Sequence, residues 1–399
     1  MKQFISYGKQ WIDDDDIAAV VEVLRSDFMT QGPKIGEFEK ALCDYTGAKY
    51  AVAVSSGTAA LHLAVSALNI AKEKKGITSP ITFAASANCF LYNGMKPDFV
   101  DIDERTFCMS PIELETKIKK DKENETGVVI PVHFGGQSCE MEKIARILGR
   151  DDLTTNSKGP YIIEDASHAL GSKHENGKRV GSCCWSDMAI FSFHPVKTIA
   201  TAEGGAITTN NKDLYDQLMV LRTHGITKDE TKWKIKDRDF TGPWYYEMQE
   251  LGFNYRLTDM QSALGLSQMR KIDKFTARRR EIVDIYNKAF KKVEWLSTPY
   301  EREGLSSTFH LYVLEFDFKK INKTRTEVMN ILKEKGIGTQ VHYIPVHLLP
   351  YYREHFGFKP GDFPKAEGYY GKCLSIPLYP KMTDEDVQRV IDEISALGE

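Results

Sequence analysis

The sequence predicts an α/β protein in two parts: a large domain with one mostly parallel sheet, residues 1–265, and a smaller C-terminal α+β domain, residues 266–399. Three observations lead there. The 399 residues are more than one simple hydrophobic core usually holds. Up to Thr209, short apolar runs alternate with stretches of helical periodicity, the rhythm of strands joined by helices. Beyond Thr258 that rhythm gives way to a long helical pattern and then to a second, shorter set of elements.

Taken in order, the apolar runs predict strands at 50–54, 96–101, 127–132, 161–164, 188–193 and 205–209, with helices in most of the gaps, one of them at 59–68. From Thr258 the pattern is helical through the basic stretch 270–280. The smaller set is predicted as a strand at 309–316, a helix at 324–335, a strand at 339–343 and a last helix opened by Thr383 with Asp386 three residues on, a capping-box-like start. In open α/β sheets the carboxyl ends of the strands face one crevice, so residues just after each strand can converge on a ligand.

Composition narrows the ligand. Charged residues make up 27% and apolar ones 42%, enough apolar material for a real core and no signature of disorder. The net charge of −3, with both signs interspersed, builds no one-sided basic field of the kind nucleic acid or an anionic membrane requires. A small molecule is the expected partner. The seven cysteines form an odd set with no C-x-x-C and no paired ligand spacing, against a disulfide framework and against a bound metal. Met1-Lys2-Gln3-Phe4 opens no apolar leader and no run approaches a membrane span, so a cytoplasmic location is expected.

Three stretches carry candidate chemistry. Ser55-Ser56-Gly57-Thr58-Ala59-Ala60 follows the first strand and leads into a helix. Such a small-residue turn suits a phosphate at the helix N-terminus, although Ser and Thr are equally ordinary N-caps. Glu164-Asp165-Ala166-Ser167-His168 puts a carboxylate at a strand end with an imidazole three residues on. It reads either as a loop or as a carboxylate facing a pyridine nitrogen, with His168 supporting it. The third stretch runs from Ala189 to Ala206 and contains Ser192-Phe193-His194-Pro195-Val196-Lys197 and the Gly204-Gly205 pair. Small and apolar neighbours around Lys197 point to an enclosed amine with a depressed pKa, the state in which a lysine acts as nucleophile or Schiff-base partner. Ser192, five residues earlier, is placed to hold a phosphate of the same ligand.

These stretches, together with Tyr7-Gly8-Lys9-Gln10, Thr30-Gln31-Gly32-Pro33, Ser79-Pro80-Ile81-Thr82-Phe83, Gly252-Phe253-Asn254-Tyr255-Arg256 and Val341-His342-Tyr343-Ile344-Pro345, resemble the DegT/DnrJ/EryC1/StrS sugar aminotransferase family over nearly the whole chain. The resemblance implies the type I fold of pyridoxal 5′-phosphate (PLP)-dependent transferases, that of the aspartate aminotransferases. It implies that Lys197 carries PLP as a Schiff base, that Asp165 pairs with the pyridine nitrogen, and that Phe83 stacks on the ring with His168 near it. Gly57, Thr58 and Ser192 would hold the phosphate, joined by Asn254 from the neighbouring subunit, so the expected assembly is a homodimer with shared sites. Tyr7, Met29, Thr30, Tyr255, His342 and Tyr343 are candidate contacts for a nucleotide sugar, and glutamate is the implied amino donor. Residues 131–137, 223–226 and 242–256 resemble most the branch of pseudaminic acid synthesis, which aminates C4 of a UDP-linked 4-keto-6-deoxy-N-acetyl hexosamine. An enzyme of the same chemistry acting on a D-xylo or dTDP-linked sugar is the alternative. A regulator on this fold would need a DNA-binding module, and no basic helix-turn-helix pattern precedes residue 50.

Overall fold

A computed structural model describes residues 3–150, 159–235 and 242–398, so Met1 and Lys2 of the expected leaderless start lie outside the described residues. The chain opens with helices α1 (Asp14–Leu24) and α2 (Pro33–Thr46), then builds a seven-stranded sheet. Its strands are β1 (Tyr50–Val54), β2 (Lys75–Thr78), β3 (Lys96–Phe99), β4 (Thr126–Ile130), β5 (Tyr161–Asp165), β6 (Met188–Ser192) and β7 (Gly205–Thr209). Helix α3 (Gly57–Ala67) follows β1 and α4 (Ala85–Tyr92) follows β2. The spatial order is β1-β7-β6-β5-β4-β2-β3, parallel from β3 to β6, with β7 antiparallel to both its neighbours. The mostly parallel sheet expected from the sequence is therefore present, with one reversed strand. Its central strands are buried without alternation because helices cover both faces.

The two-residue strands β8 (Ile226–Thr227) and β9 (Glu247–Met248) form a small ribbon. In the C-terminal part, β10 (Leu296–Ser297), β11 (Tyr312–Phe316) and β12 (Cys373–Ile376) make an antiparallel sheet. Side chains of the long helix Ile272–Phe290, the helix Arg325–Glu334 and the helix Asp384–Ser395 share one core with it. Thr324 and Thr383 open the last two as full capping boxes. Residue 265 falls inside the helix Asp259–Met269, which packs on α1 and α2. Ile5 belongs to the C-terminal core and bridges Ile337.

Several expected elements differ. β2 was not expected: Lys75-Gly76-Ile77-Thr78 has one large apolar residue, and Gly76 is there because a Cβ would come within 2.2 Å of the Phe90 ring. The strand expected at 309–316 starts only at Tyr312, since Phe309 turns the backbone with φ 46°. The strand expected at 339–343 is an irregular crossing with one bridge, Gln340 to Ser375, because β12 takes the place beside β11. The helix expected at 59–68 starts two residues earlier, at Gly57.

Candidate active site

The carboxyl ends of β1, β5 and β6 meet the C-terminal part around a cavity of about 660 Å³. At one end, β1 turns through Ser55 and Ser56 into α3. Ser56 is the N-cap, its extended backbone letting Oγ accept the Ala59 N–H at 3.0 Å. The remaining first-turn N–H groups of α3 face the cavity end without intrahelical partners, which makes an anion site. Gly57 is required by a close approach: a Cβ there would lie 2.9 Å from Ser192 Cβ and 3.2 Å from its Oγ. Gly205 on β7 is held likewise, since its Cβ would lie 2.4 Å from the Ser56 carbonyl oxygen. Three backbone segments thus press together where the Ser192 hydroxyl, free of hydrogen bonds among the described residues, meets the α3 N-terminus.

Asp165 closes β5 and is 5% exposed. Its Oδ2 accepts the Ser86 hydroxyl at 2.6 Å and its Oδ1 accepts the Ser167 N–H at 3.1 Å. On the adjoining wall the Phe83 ring is 63% exposed, with its centroid 6.4 Å from that of Tyr343. An apolar ring left open to a cavity is a surface waiting for another planar group.

Lys197 follows β6 in a turn whose N–H bonds the His194 carbonyl at 2.8 Å. Its chain is partly exposed to the cavity, yet desolvation lowers the ammonium to about 8 against the opposing pull of the Asp165 charge. Among the described residues its Nζ enters no hydrogen bond or ion pair. His168 lies close by, its Nδ1 accepting the Gly135 N–H at 3.3 Å and its Nε2 standing 3.1 Å from the Tyr343 hydroxyl. The Gly135 contact assigns the proton to Nε2, which then donates to Tyr343. Burial first, then the charges of Lys197 and His342, keeps His168 well below the usual histidine range. His342 is bound to Ser375 Oγ through Nδ1 at 2.8 Å and is lowered to about 3 by burial and by Lys197. The site therefore surrounds one reactive amine with neutral imidazoles.

The cavity brings together the expected residues Gly57, Thr58, Phe83, Asp165, His168, Ser192 and Lys197, with Tyr7, His342 and Tyr343 also in its wall. Four others are not in its wall. Met29, Thr30 and Asn254 are exposed elsewhere, and Tyr255 stacks on Phe253 with its hydroxyl 3.2 Å from His62 Nδ1. Sequence reasoning missed Thr82 and Ser86, which line the cavity beside Asp165, and His310, whose ring stands 4.4 Å from that of His168. No local signal marked Thr82 and Ser86, because Thr82 precedes α4 and Ser86 bonds Asp165 79 residues on. Among the described residues no cluster of His, Cys, Asp and Glu could hold a metal ion, and no helix is long and apolar enough to cross a membrane.

Residues 10–395 match the DegT/DnrJ/EryC1/StrS aminotransferase family. The chain is 41% identical to the spore coat polysaccharide biosynthesis protein SpsC of Bacillus subtilis, over 98% of this chain and 96% of that one. It is 39% identical to a UDP-4-amino-4,6-dideoxy-N-acetyl-beta-L-altrosamine transaminase of Campylobacter jejuni, over 99% and 98%. Among solved structures it is similar to Helicobacter pylori PseC, an aminotransferase of pseudaminic acid biosynthesis, with TM-score 0.87, 30% identity and 99% of both chains covered. A PLP form of the sugar aminotransferase Spr1654 from Streptococcus pneumoniae aligns with TM-score 0.87 and 28% identity over 99% and 98%.

Proposed function

The chain belongs to the DegT/DnrJ/EryC1/StrS aminotransferase family and is a PLP-dependent sugar aminotransferase, and we propose that it transfers the amino group of glutamate to C4 of a UDP-linked 4-keto-6-deoxy-N-acetyl hexosamine in pseudaminic acid synthesis. The observation that carries the chemistry is the convergence of Lys197, Asp165 and the α3 N-terminus on one cavity. These residues fit the cofactor. A phosphate suits the N–H groups of α3 and the Ser192 hydroxyl, where the Gly57 cradle leaves no room for a Cβ. A basic ring nitrogen suits the buried Asp165, and a carbonyl carbon suits the unpaired Lys197 amine. Bound there, PLP supplies a carbonyl that takes up an amine and a ring that absorbs the electron pair released at the donor's α-carbon.

The chain's own residues do the rest. Lys197 Nζ, with its pKa of about 8, would take the proton from the donor's α-carbon and deliver it to the cofactor's former carbonyl carbon, acting first as base and then as acid. Asp165 would hold the proton at the ring nitrogen, and Phe83 would cover a face of the ring. His168 is fixed as a neutral donor, so it adds no charge to compete with the ring proton. Tyr7, His342 and Tyr343 in the cavity wall orient the sugar. Asn254 of a second copy completes the phosphate site, which makes the working unit a homodimer.

The sugar assignment draws on likeness to the Campylobacter transaminase and to PseC. The same chemistry on a D-xylo or dTDP-linked keto sugar is the second reading, since family likeness fixes the reaction better than the substrate, and SpsC, at slightly higher identity, is named only for spore coat polysaccharide biosynthesis. A keto carbon misplaced by about 1 Å costs on the order of a hundredfold in rate, so one epimer is strongly preferred. Comparing kcat/KM for glutamate-dependent amination of the L-arabino and D-xylo UDP-keto sugars separates the readings. Preference for the L-arabino epimer is expected, and preference for the D-xylo form refutes the pseudaminic assignment while leaving the aminotransferase intact.

A further inference from the structure

Two hydroxyls behind Asp165 have no part in the chemistry so far. Ser86 is 1% exposed and Thr82 2%, and both sit where the chain enters α4, on either side of Phe83. Ser86 Oγ lies 2.6 Å from Asp165 Oδ2, and Thr82 Oγ1 lies 2.7 Å from Ser86 Oγ. A serine hydroxyl has one proton. An ionised carboxylate accepts only, so that proton goes to Asp165 and the proton between the two hydroxyls must come from Thr82. The donors therefore run one way, Thr82 to Ser86 to Asp165. Such a chain polarises cooperatively in a site shielded from water, and the short O–H···O⁻ contact at its end is of the charge-assisted kind.

We propose that Thr82 and Ser86 form a directed hydroxyl relay that positions Asp165 and biases the proton it shares with the cofactor ring towards the ring nitrogen. The inference rests on the reading that Asp165 faces that nitrogen. Hydrogen bonds to the charged form of a carboxylate favour that form. The relay and the Ser167 N–H both stabilise the carboxylate anion, one at each oxygen, so the arrangement of carboxylate and protonated ring gains over that of carboxylic acid and neutral ring. The relay also fixes the carboxylate plane. Because Phe83 lies within the same turn, between Thr82 and Ser86, the group beneath the ring and the group behind its nitrogen are set by one piece of backbone. Ser86 is thus a positioning residue, acting on the ring only through Asp165.

The test uses holoenzyme loaded with PLP labelled with ¹⁵N in the ring, with the ¹⁵N chemical shift as the readout. Ser86→Ala is expected to move the signal towards that of unprotonated pyridine and to lower turnover on the order of tenfold. Thr82→Val should move it the same way by less, and Ser86→Thr, which keeps the hydroxyl, should restore both. Asp165→Asn is the reference. If it moves the signal and Ser86→Ala, folded and loaded, does not, the relay is overturned and the reading of Asp165 stands. If Asp165→Asn leaves the signal unchanged, the carboxylate does not face the ring nitrogen and both fall. Should Ser86→Ala fail to fold, Thr82→Val decides the relay by the same signal.

Discussion

At Lys197 desolvation and the Asp165 charge pull in opposite directions, and desolvation prevails, leaving a pKa of about 8. Since the folded value lies below that of an ordinary lysine, the free amine gains population as pH rises through about 8 rather than through the usual ~10.4. Competitive acylation of apo-protein, followed by peptide mass spectrometry, should give Lys197 a midpoint near that value. Exposed lysines such as Lys40, raised by Asp44, should still be climbing. A Lys197 midpoint as high as theirs would remove the case for an enclosed amine. In holoenzyme, borohydride should fix the cofactor to a peptide containing Lys197, and Lys197→Ala should abolish the fixation. Lys197 and Asp165 were legible in the sequence because their surroundings are local: small residues after the lysine, and a strand just before the aspartate. Ser86 was not, because its partner Asp165 lies 79 residues on and only the parallel sheet brings them together.

For the elements, the critical event is the meeting of the α3 N-terminus with the end of β6 at Gly57 and Ser192. A methyl at Gly57 would press on backbone-proximal atoms of Ser192, and overpacking of this kind costs about 1 to 3 kcal/mol. Gly57→Ala should therefore lower Tm by a few degrees and weaken cofactor binding by on the order of tenfold, seen in a spectroscopic titration of apo-protein with PLP. Unchanged affinity would mean that the cradle does not touch the cofactor. The strand runs around β1, β6 and β7 and the capped helices at Thr324 and Thr383 were readable because apolar runs and caps are written in adjacent residues. β2 and β12 were not. Each spans four residues, and each exists because neighbouring strands supply its ladder, something no local pattern records.

In the whole molecule, Asn254 lies exposed on a segment that also shows Trp244, Met248 and Leu251 to solvent, apolar surface that a lone subunit leaves in water. If that arm completes a partner's phosphate site, Lys197→Ala and Asn254→Ala proteins should each be inactive alone. Mixed one to one with free subunit exchange, they should recover roughly a quarter of wild-type activity, because half the dimers then hold one intact site of two. No recovery despite demonstrated exchange would mean that each chain builds its own site. The same whole-chain view bears on how the cavity comes to exist. Ile5 is bound in both directions to the turn at Gly336 and Gly338, and the Tyr7 carbonyl takes the Leu378 N–H at 3.1 Å. The opening residues thus emerge from the ribosome long before their partners, and at about 5 to 20 residues per second the wait is on the order of half a minute. Until Leu378 has been added the Tyr7 carbonyl lacks its partner, so a nascent chain can finish its large sheet before this wall of the cavity is fastened.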